Sequence, residues 1–125
     1  MAEDNITNQI ISAAIEVHRE LGSGLIEAIY EEFLSMELTD RNISFERQKI
    51  IPILYKKQII KSNFSLDLLV ENKVVVELKA VENSLPIHTA QLLTYLKLTE
   101  YRIGLLINFN VPVLKNGIQR VVNDY

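Results

Sequence analysis

Cysteine is absent from the 125 residues, which excludes disulfides, thiolate metal sites and a cysteine nucleophile, and leaves the compartment unset by redox. Histidine occurs only at His18 and His88, too few and too far apart for a histidine metal site. Glycine is scarce, with four in all, and no Gly-rich loop is present to cradle a phosphate. No apolar run approaches the roughly 18 residues that a membrane-spanning helix needs. The start, Met1-Ala2-Glu3-Asp4-Asn5, has no basic leader, so the expected location is cytoplasmic with no membrane partner. Low-complexity stretches and internal repeats are missing too, and disorder is not expected. Positive charge is not in excess: the net charge of −3 argues against broad, nonspecific attraction to nucleic-acid backbones, while leaving room for a local site.

What is present is ordinary globular composition, 48% hydrophobic and 23% charged, in a length that predicts one domain over residues 1–125. Ile6, Ile10, Ala14 and Val17 recur at helical spacing and predict a helix over about Thr7–Leu21, with Asn5 or Thr7 as cap and Gly22-Ser23-Gly24 ending it. A second helix is predicted over about Leu25–Thr39. Three successive antiparallel strands follow, at Phe45–Tyr55, Ile59–Val70 and Val74–Val81, rich in β-branched residues. Pro52 marks the first of these as an edge strand or a bulged one. Pro86–Leu98 reads as a helix, Arg102–Ile107 as a short apolar strand, and Ile118–Val122 as a final strand. The order α-α-β-β-β-α-β(-β) predicts an α+β or α/β sandwich, a small mixed sheet flanked by helices.

Against that background, Asp67 and the tripeptide Glu77-Leu78-Lys79 put charge where a core should be. Ionised groups among so many Val and Leu residues cost several kcal/mol each unless paired or bound to a metal. Glu77 and Lys79, two apart in a strand, share a face at roughly 6.5 Å. Whether Asp67 joins them depends on the turn Glu71-Asn72-Lys73. A two-residue loop leaves Asp67 and Glu77 on opposite faces, whereas a three-residue loop sets Val70 opposite Val74 and so Asp67 opposite Glu77. Such a loop suits a type I turn closing on one left-handed residue, best supplied by Asn72. Two convergent carboxylates suit a hard cation such as Mg²⁺, and the neighbouring ammonium would hold charge on a phosphoryl transition state. The plainer alternative is a salt bridge from Lys79 to Glu77, with Asp67 accepting hydrogen bonds at a strand edge. The cations Arg47, Lys49, Lys56, Lys57 and Lys61 gather around a predicted hairpin, where lysine also guards a strand edge.

The meander carrying Asp and Glu-x-Lys between helices resembles the PD-(D/E)XK nuclease superfamily. More narrowly, Gly24-Leu25-Ile26-Glu27-Ala28-Ile29-Tyr30 is similar to the signature of the bacterial GxxExxY proteins, with His18-Arg19-Glu20-Leu21-Gly22 before it and Leu105-Leu106-Ile107-Asn108-Phe109-Asn110 near the end. The resemblance implies a restriction-endonuclease-like core, with Asp67 and Glu77 as metal-binding acids, Lys79 as the catalytic lysine and Glu27 as a further metal-binding acid from a helix. The proline that precedes the first acid in the superfamily's name is Leu66 here. Gln91 and Tyr95 resemble the Gln-x-x-x-Tyr pair of RecB-like members, which makes Gln91 a catalytic candidate. His88, Gln91 and Tyr95 lie on one helix face, placing His88 and Tyr95 at the rim of the site; His18 reads as a helix-packing residue.

The leading expectation is a Mg²⁺- or Mn²⁺-dependent phosphodiesterase acting on nucleic acid, DNA more than RNA. The alternative is an inert or partner-dependent nucleic-acid or protein-binding module on the same fold. On either reading a homodimer or a protein partner is allowed. A nucleotide hydrolase is a weaker third, lacking a phosphate-cradling loop.

Overall fold

The structure, a computed structural model, describes residues 2–61 and 64–124. Its elements follow in the order α1 (Glu3–Leu21), α2 (Glu27–Asp40), β1 (Phe45–Ile50), β2 (Ile53–Tyr55), β3 (Gln58–Ile60), β4 (Ser65–Val70), β5 (Val74–Lys79), α3 (Pro86–Thr99), β6 (Ile103–Asn108), a 3-10 turn (Leu114–Gly117) and β7 (Ile118–Val122). Five strands form a mixed sheet in the order β1-β4-β5-β6-β7. Only β5 and β6 pair in parallel, because α3 carries the chain across one sheet face between them. This is the α+β sandwich that the periodicities predict.

Each sheet face buries its own apolar set, as strand alternation requires. Leu68, Val70, Val74, Val76 and Leu78 pack beneath α1 and α2, against Ile6, Ile10, Leu34 and Leu38. Leu69, Val75 and Leu106 pack beneath α3, against Leu92 and Leu96. The two-glycine link between α1 and α2 needs its glycines: Gly22 and Gly24 have φ of 74° and 98°. Tyr30 fastens this link, donating its hydroxyl to Gly22 O at 2.7 Å and accepting from Leu25 N–H at 3.2 Å, while its ring stacks on Phe109 at 4.3 Å.

Three expectations are corrected. Helix α1 begins at Glu3 rather than Thr7, because Glu3 and Asp4 suit the positive end of the helix and are met there by Arg102 at 3.7 Å and Arg120 at 2.7 Å. Thr7 does not cap; its hydroxyl donates back to Glu3 O and Asp4 O. The predicted strands Phe45–Tyr55 and Ile59–Val70 are each divided. The first breaks at Ile51-Pro52, where proline has no N–H for a ladder; residues 62 and 63 of the second lie outside the described residues. Strands β2 and β3 leave the main sheet as a two-stranded ribbon of their own. Among the described residues no helix is long and apolar enough to cross a membrane.

Candidate active site

The loop between β4 and β5 is three residues long and sets Val70 opposite Val74, Leu69 opposite Val75 and Leu68 opposite Val76, the register that the arithmetic predicts. Its shape differs. Glu71 and Asn72 are both left-handed, each with φ of 53°, where the sequence predicts one such residue. Tertiary contacts hold this turn: the Glu71 carboxylate accepts from Ser44 N–H and Oγ at 3.1 Å each, and Asn72 Oδ1 accepts from the Tyr101 hydroxyl at 2.8 Å.

Continuing the register puts Asp67 across from Glu77, yet backbone pairing stops at Leu68 and Val76. Beyond that point β4 stays with β1, Leu66 lying opposite Lys49. Strand β5 stays with β6, where Glu77, Leu78 and Lys79 pair with Leu106, Ile107 and Asn108. The sheet forks, and the two carboxylates fill the fork. Asp67 N–H donates to Glu77 Oε2 at 2.9 Å, and Leu78 N–H donates to Asp67 Oδ2 at 2.8 Å. Side-chain oxygens thus replace the carbonyls that the parting strands no longer offer each other.

Glu77 is only 8% exposed. Burial, reinforced by the charge of Asp67, pushes its carboxyl up from 4.5 to about 8, with the Lys79 ammonium working in the opposite direction. Burial also pushes the Tyr95 phenol up, with the charges of Glu77 and Asp67 adding to it. The Tyr95 ring makes an edge contact with Phe64 at 4.4 Å.

Lys79 is half-buried at the end of β5 and makes no ion pair within 4 Å among the described residues, so the salt bridge to Glu77 does not form. Its main chain is fixed, its carbonyl accepting from Phe109 N–H at 2.9 Å. Glu27 is not brought into a group with Asp67 and Glu77: among the described residues no three acids or histidines gather as a metal site. It is the exposed first residue of α2, at a cavity of ≈ 590 Å³ lined by residues 24–28 with Ala80 and Asn110. The reason is position along the helix, since Glu27 is its exposed first residue. The row that faces the sheet begins with Tyr30 and Glu31, one turn further on. Gln91 is exposed on α3, on the same flank as Tyr95. His88 serves the helix start, its Nδ1 accepting from Leu85 N–H at 3.2 Å. His18 packs as expected, with Nε2 and Val111 O 2.8 Å apart.

Two residues near the fork escape the sequence reading. Gln48 interrupts the β1–β4 ladder with φ of 46°. Its Nε2 donates to Glu31 Oε1 at 2.6 Å and to Asp67 Oδ1 at 3.3 Å, and its Oε1 accepts from Ser65 Oγ at 2.9 Å. Glu31, buried on α2, also receives Arg47 at 3.0 Å. Glu31 was findable, since it falls on the inward stripe of α2 beside Tyr30, Leu34 and Leu38. A left-handed glutamine inside a strand leaves no trace in sequence.

Residues 4–121 match the family model of the PD-(D/E)XK nuclease superfamily. No curated protein matches the chain. Among solved structures, the crystal structure of SSO0001 is similar, with a TM-score of 0.58 and 22% sequence identity over 79% of this chain and 51% of that one. The likeness is one of fold, and this chain spans about half the length of that structure. The chain belongs to the PD-(D/E)XK nuclease superfamily, whose members generally use divalent metals for nuclease chemistry. The fork fits such an ion on its own donors. Two facing carboxylates, one of them forced towards its protonated form by burial and by the other's charge, would be relieved together by a cation that binds one or two carboxylates and keeps its waters.

Proposed function

We propose that this member of the superfamily is a Mg²⁺- or Mn²⁺-dependent nuclease that hydrolyses DNA phosphodiester bonds, and that it is of the GxxExxY type. The observation that carries the reading is the fork, where the ladder opens at the one place along β4 and β5 that has two carboxylates to fill it. Asp67 and Glu77 would hold the ion. When bound there, a divalent cation polarises the phosphoryl oxygen and lowers the pKa of an attacking water. Lys79, free of ion pairs, is the cation left to hold charge that builds on the non-bridging oxygens. Tyr95 stands on the α3 side within the field of the two acids, and Gln91 on the same flank would meet the phosphate or the water. Gln48 holds Asp67 at its outer oxygen. Glu27, at the cavity beside Ala80, is assigned to the entrance and not to the ion.

A second reading, a binding module without catalysis, is favoured by one observation: both carboxylates already accept main-chain N–H groups. Cleavage assays on single- and double-stranded DNA and RNA, with Mg²⁺ or Mn²⁺ and with Glu77→Gln as control, separate the two. Metal-dependent cleavage that Glu77→Gln abolishes is the expected outcome. A parent that binds Mn²⁺ and cleaves none of the substrates would leave the module.

A further inference from the structure

The ribbon β2–β3 has no role in the site described above, and its composition is unlike that of the rest of the chain. Between Arg47 and Leu66 there are five cations (Arg47, Lys49, Lys56, Lys57 and Lys61) and no acid, in a chain whose net charge is −3. Lys56, Lys57 and Lys61 make no ion pair among the described residues. The two tip residues, Lys56 and Lys57, are both left-handed, with φ of 48° and 66°. That is the turn a two-residue hairpin prefers, but Asn-Gly would adopt it without the penalty of about 1 kcal/mol that a left-handed lysine carries. Lysine is held at the tip at a cost in stability, with the Lys56 ammonium over the Tyr55 ring at 5.3 Å.

The ribbon also exposes apolar side chains on both faces. Leu54 and Ile59 face each other across it and are 61% and 74% exposed. Ile60 and Tyr55 are exposed on the other face, with Gln58 opposite Tyr55. An edge strand guarded by lysine would keep such residues covered. The ribbon leaves the sheet after β1 and returns into β4 two residues before Asp67. It therefore projects from the same end of the sheet as the carboxylates and Lys79, since β4 and β5 are antiparallel.

We infer that the β2–β3 ribbon is an arm that enters the major groove of a B-form DNA duplex and holds that duplex against the fork. The inference rests on the reading of the fork as a nucleic-acid site and goes beyond it in naming the duplex and the element that grips it. The major groove of B-form DNA, about 12 Å wide, admits a two-stranded ribbon, whereas the deep, narrow major groove of A-form RNA does not. Lys56, Lys57 and Lys61 meet phosphates on the groove's walls. Leu54 and Ile59, which share one face of the ribbon, meet thymine methyl groups on its floor.

The test is binding of a fluorescent 24-base-pair DNA duplex, of an RNA duplex of the same length and of the single DNA strand, by anisotropy in Ca²⁺ over a series of salt concentrations. The parent is compared with the double variants Lys56→Glu/Lys57→Glu and Leu54→Ser/Ile59→Ser. Hydrolysis of a small chromogenic phosphodiester with Mn²⁺ and the thermal midpoint are followed beside it. The parent should prefer the DNA duplex to both other probes. Charge reversal should weaken duplex binding by at least about tenfold and reduce the slope of log affinity against log salt by about 2, one phosphate contact per lysine. The apolar pair should weaken duplex binding with the slope unchanged, and all three proteins should hydrolyse the small diester alike. Equal duplex affinity in parent and both variants overturns the arm, as does a parent that prefers the RNA duplex. So does an arm-dependent dimer with unchanged DNA affinity, which would assign the ribbon to a second copy. If the variants fail on DNA while no protein hydrolyses either diester, the arm stands and the nuclease reading falls.

Discussion

Glu77 is where the proposed chemistry and the stability of the molecule meet. Its carboxyl is raised from 4.5 to about 8 in the metal-free protein, by burial first and by Asp67 second. Below pH 4.5 the folded and unfolded chains both carry this proton, and the group costs nothing. Between 4.5 and about 8 the unfolded chain releases a proton that the folded chain keeps, so stability falls as pH rises, and the penalty is complete above about 8. With chelator present, the melting midpoint of the parent should therefore drop across this window more steeply than that of Glu77→Gln. Parallel curves would place the raised group elsewhere. Lys79 carries a kinetic prediction: Lys79→Ala should lower cleavage by about 10²–10³-fold while leaving the melt unchanged, since its ammonium makes no ion pair and contributes transition-state charge rather than packing. Cleavage at the parent rate would make it a bystander. Gln48 carries a conformational one. At φ of 46° a Cβ is strained, so Gln48→Gly should be more stable to urea than Gln48→Ala by about 1 kcal/mol.

At the scale of elements, the distinctive parts are the joints. The link from α1 to α2 depends on Tyr30, whose hydroxyl satisfies one carbonyl and one N–H of a turn that two left-handed glycines leave open. Tyr30→Phe keeps the stack on Phe109 and loses both bonds, so a cost of about 1–2 kcal/mol in urea unfolding is expected, with no loss of Mn²⁺ response. A variant of parental stability would show that the turn holds itself. Tyrosine in the Gly-x-x-Glu-x-x-Tyr segment is thus a fastener of the loop, and the glutamate is the exposed first residue of the helix. Beyond the turn Glu71-Asn72-Lys73, the fork keeps β4 with β1 and β5 with β6, which separates two backbone edges by the width of two carboxylates. Apart from the interruption at Gln48, the rest of the sheet has ordinary ladders, and the apolar pattern along them was readable residue by residue.

For the molecule as a whole, a cation that binds only the folded chain must stabilise it, by about 2.7 kcal/mol at a hundredfold excess over its Kd. Mn²⁺ should raise the melting midpoint of the parent, and more at pH 8 than at pH 6, because the ion competes with the proton on Glu77. Glu77→Gln should lose the rise, and Glu27→Gln should retain it. Loss of the rise in Glu27→Gln would bring that helix acid back to the ion. How much of this was legible in the 125 residues follows from what kind of information each feature needs. Periodicity and turn chemistry are local, so the helices, the mixed sheet, the three-residue loop and the register that turns Asp67 towards Glu77 could be read from the chain, down to the position where Val70 meets Val74, while the opening of the ladder beyond Leu68 and Val76 could not. Two consecutive left-handed residues at Glu71 and Asn72, the left-handed Gln48 that touches Asp67, the ribbon breaking away at Pro52, and the burial of Glu31 against Gln48 and Arg47 were decided only in three dimensions. Each depends on partners distant in sequence, Ser44 and Tyr101 for the turn and α2 for Gln48, and a backbone conformation that its own residues disfavour is populated only where such partners hold it.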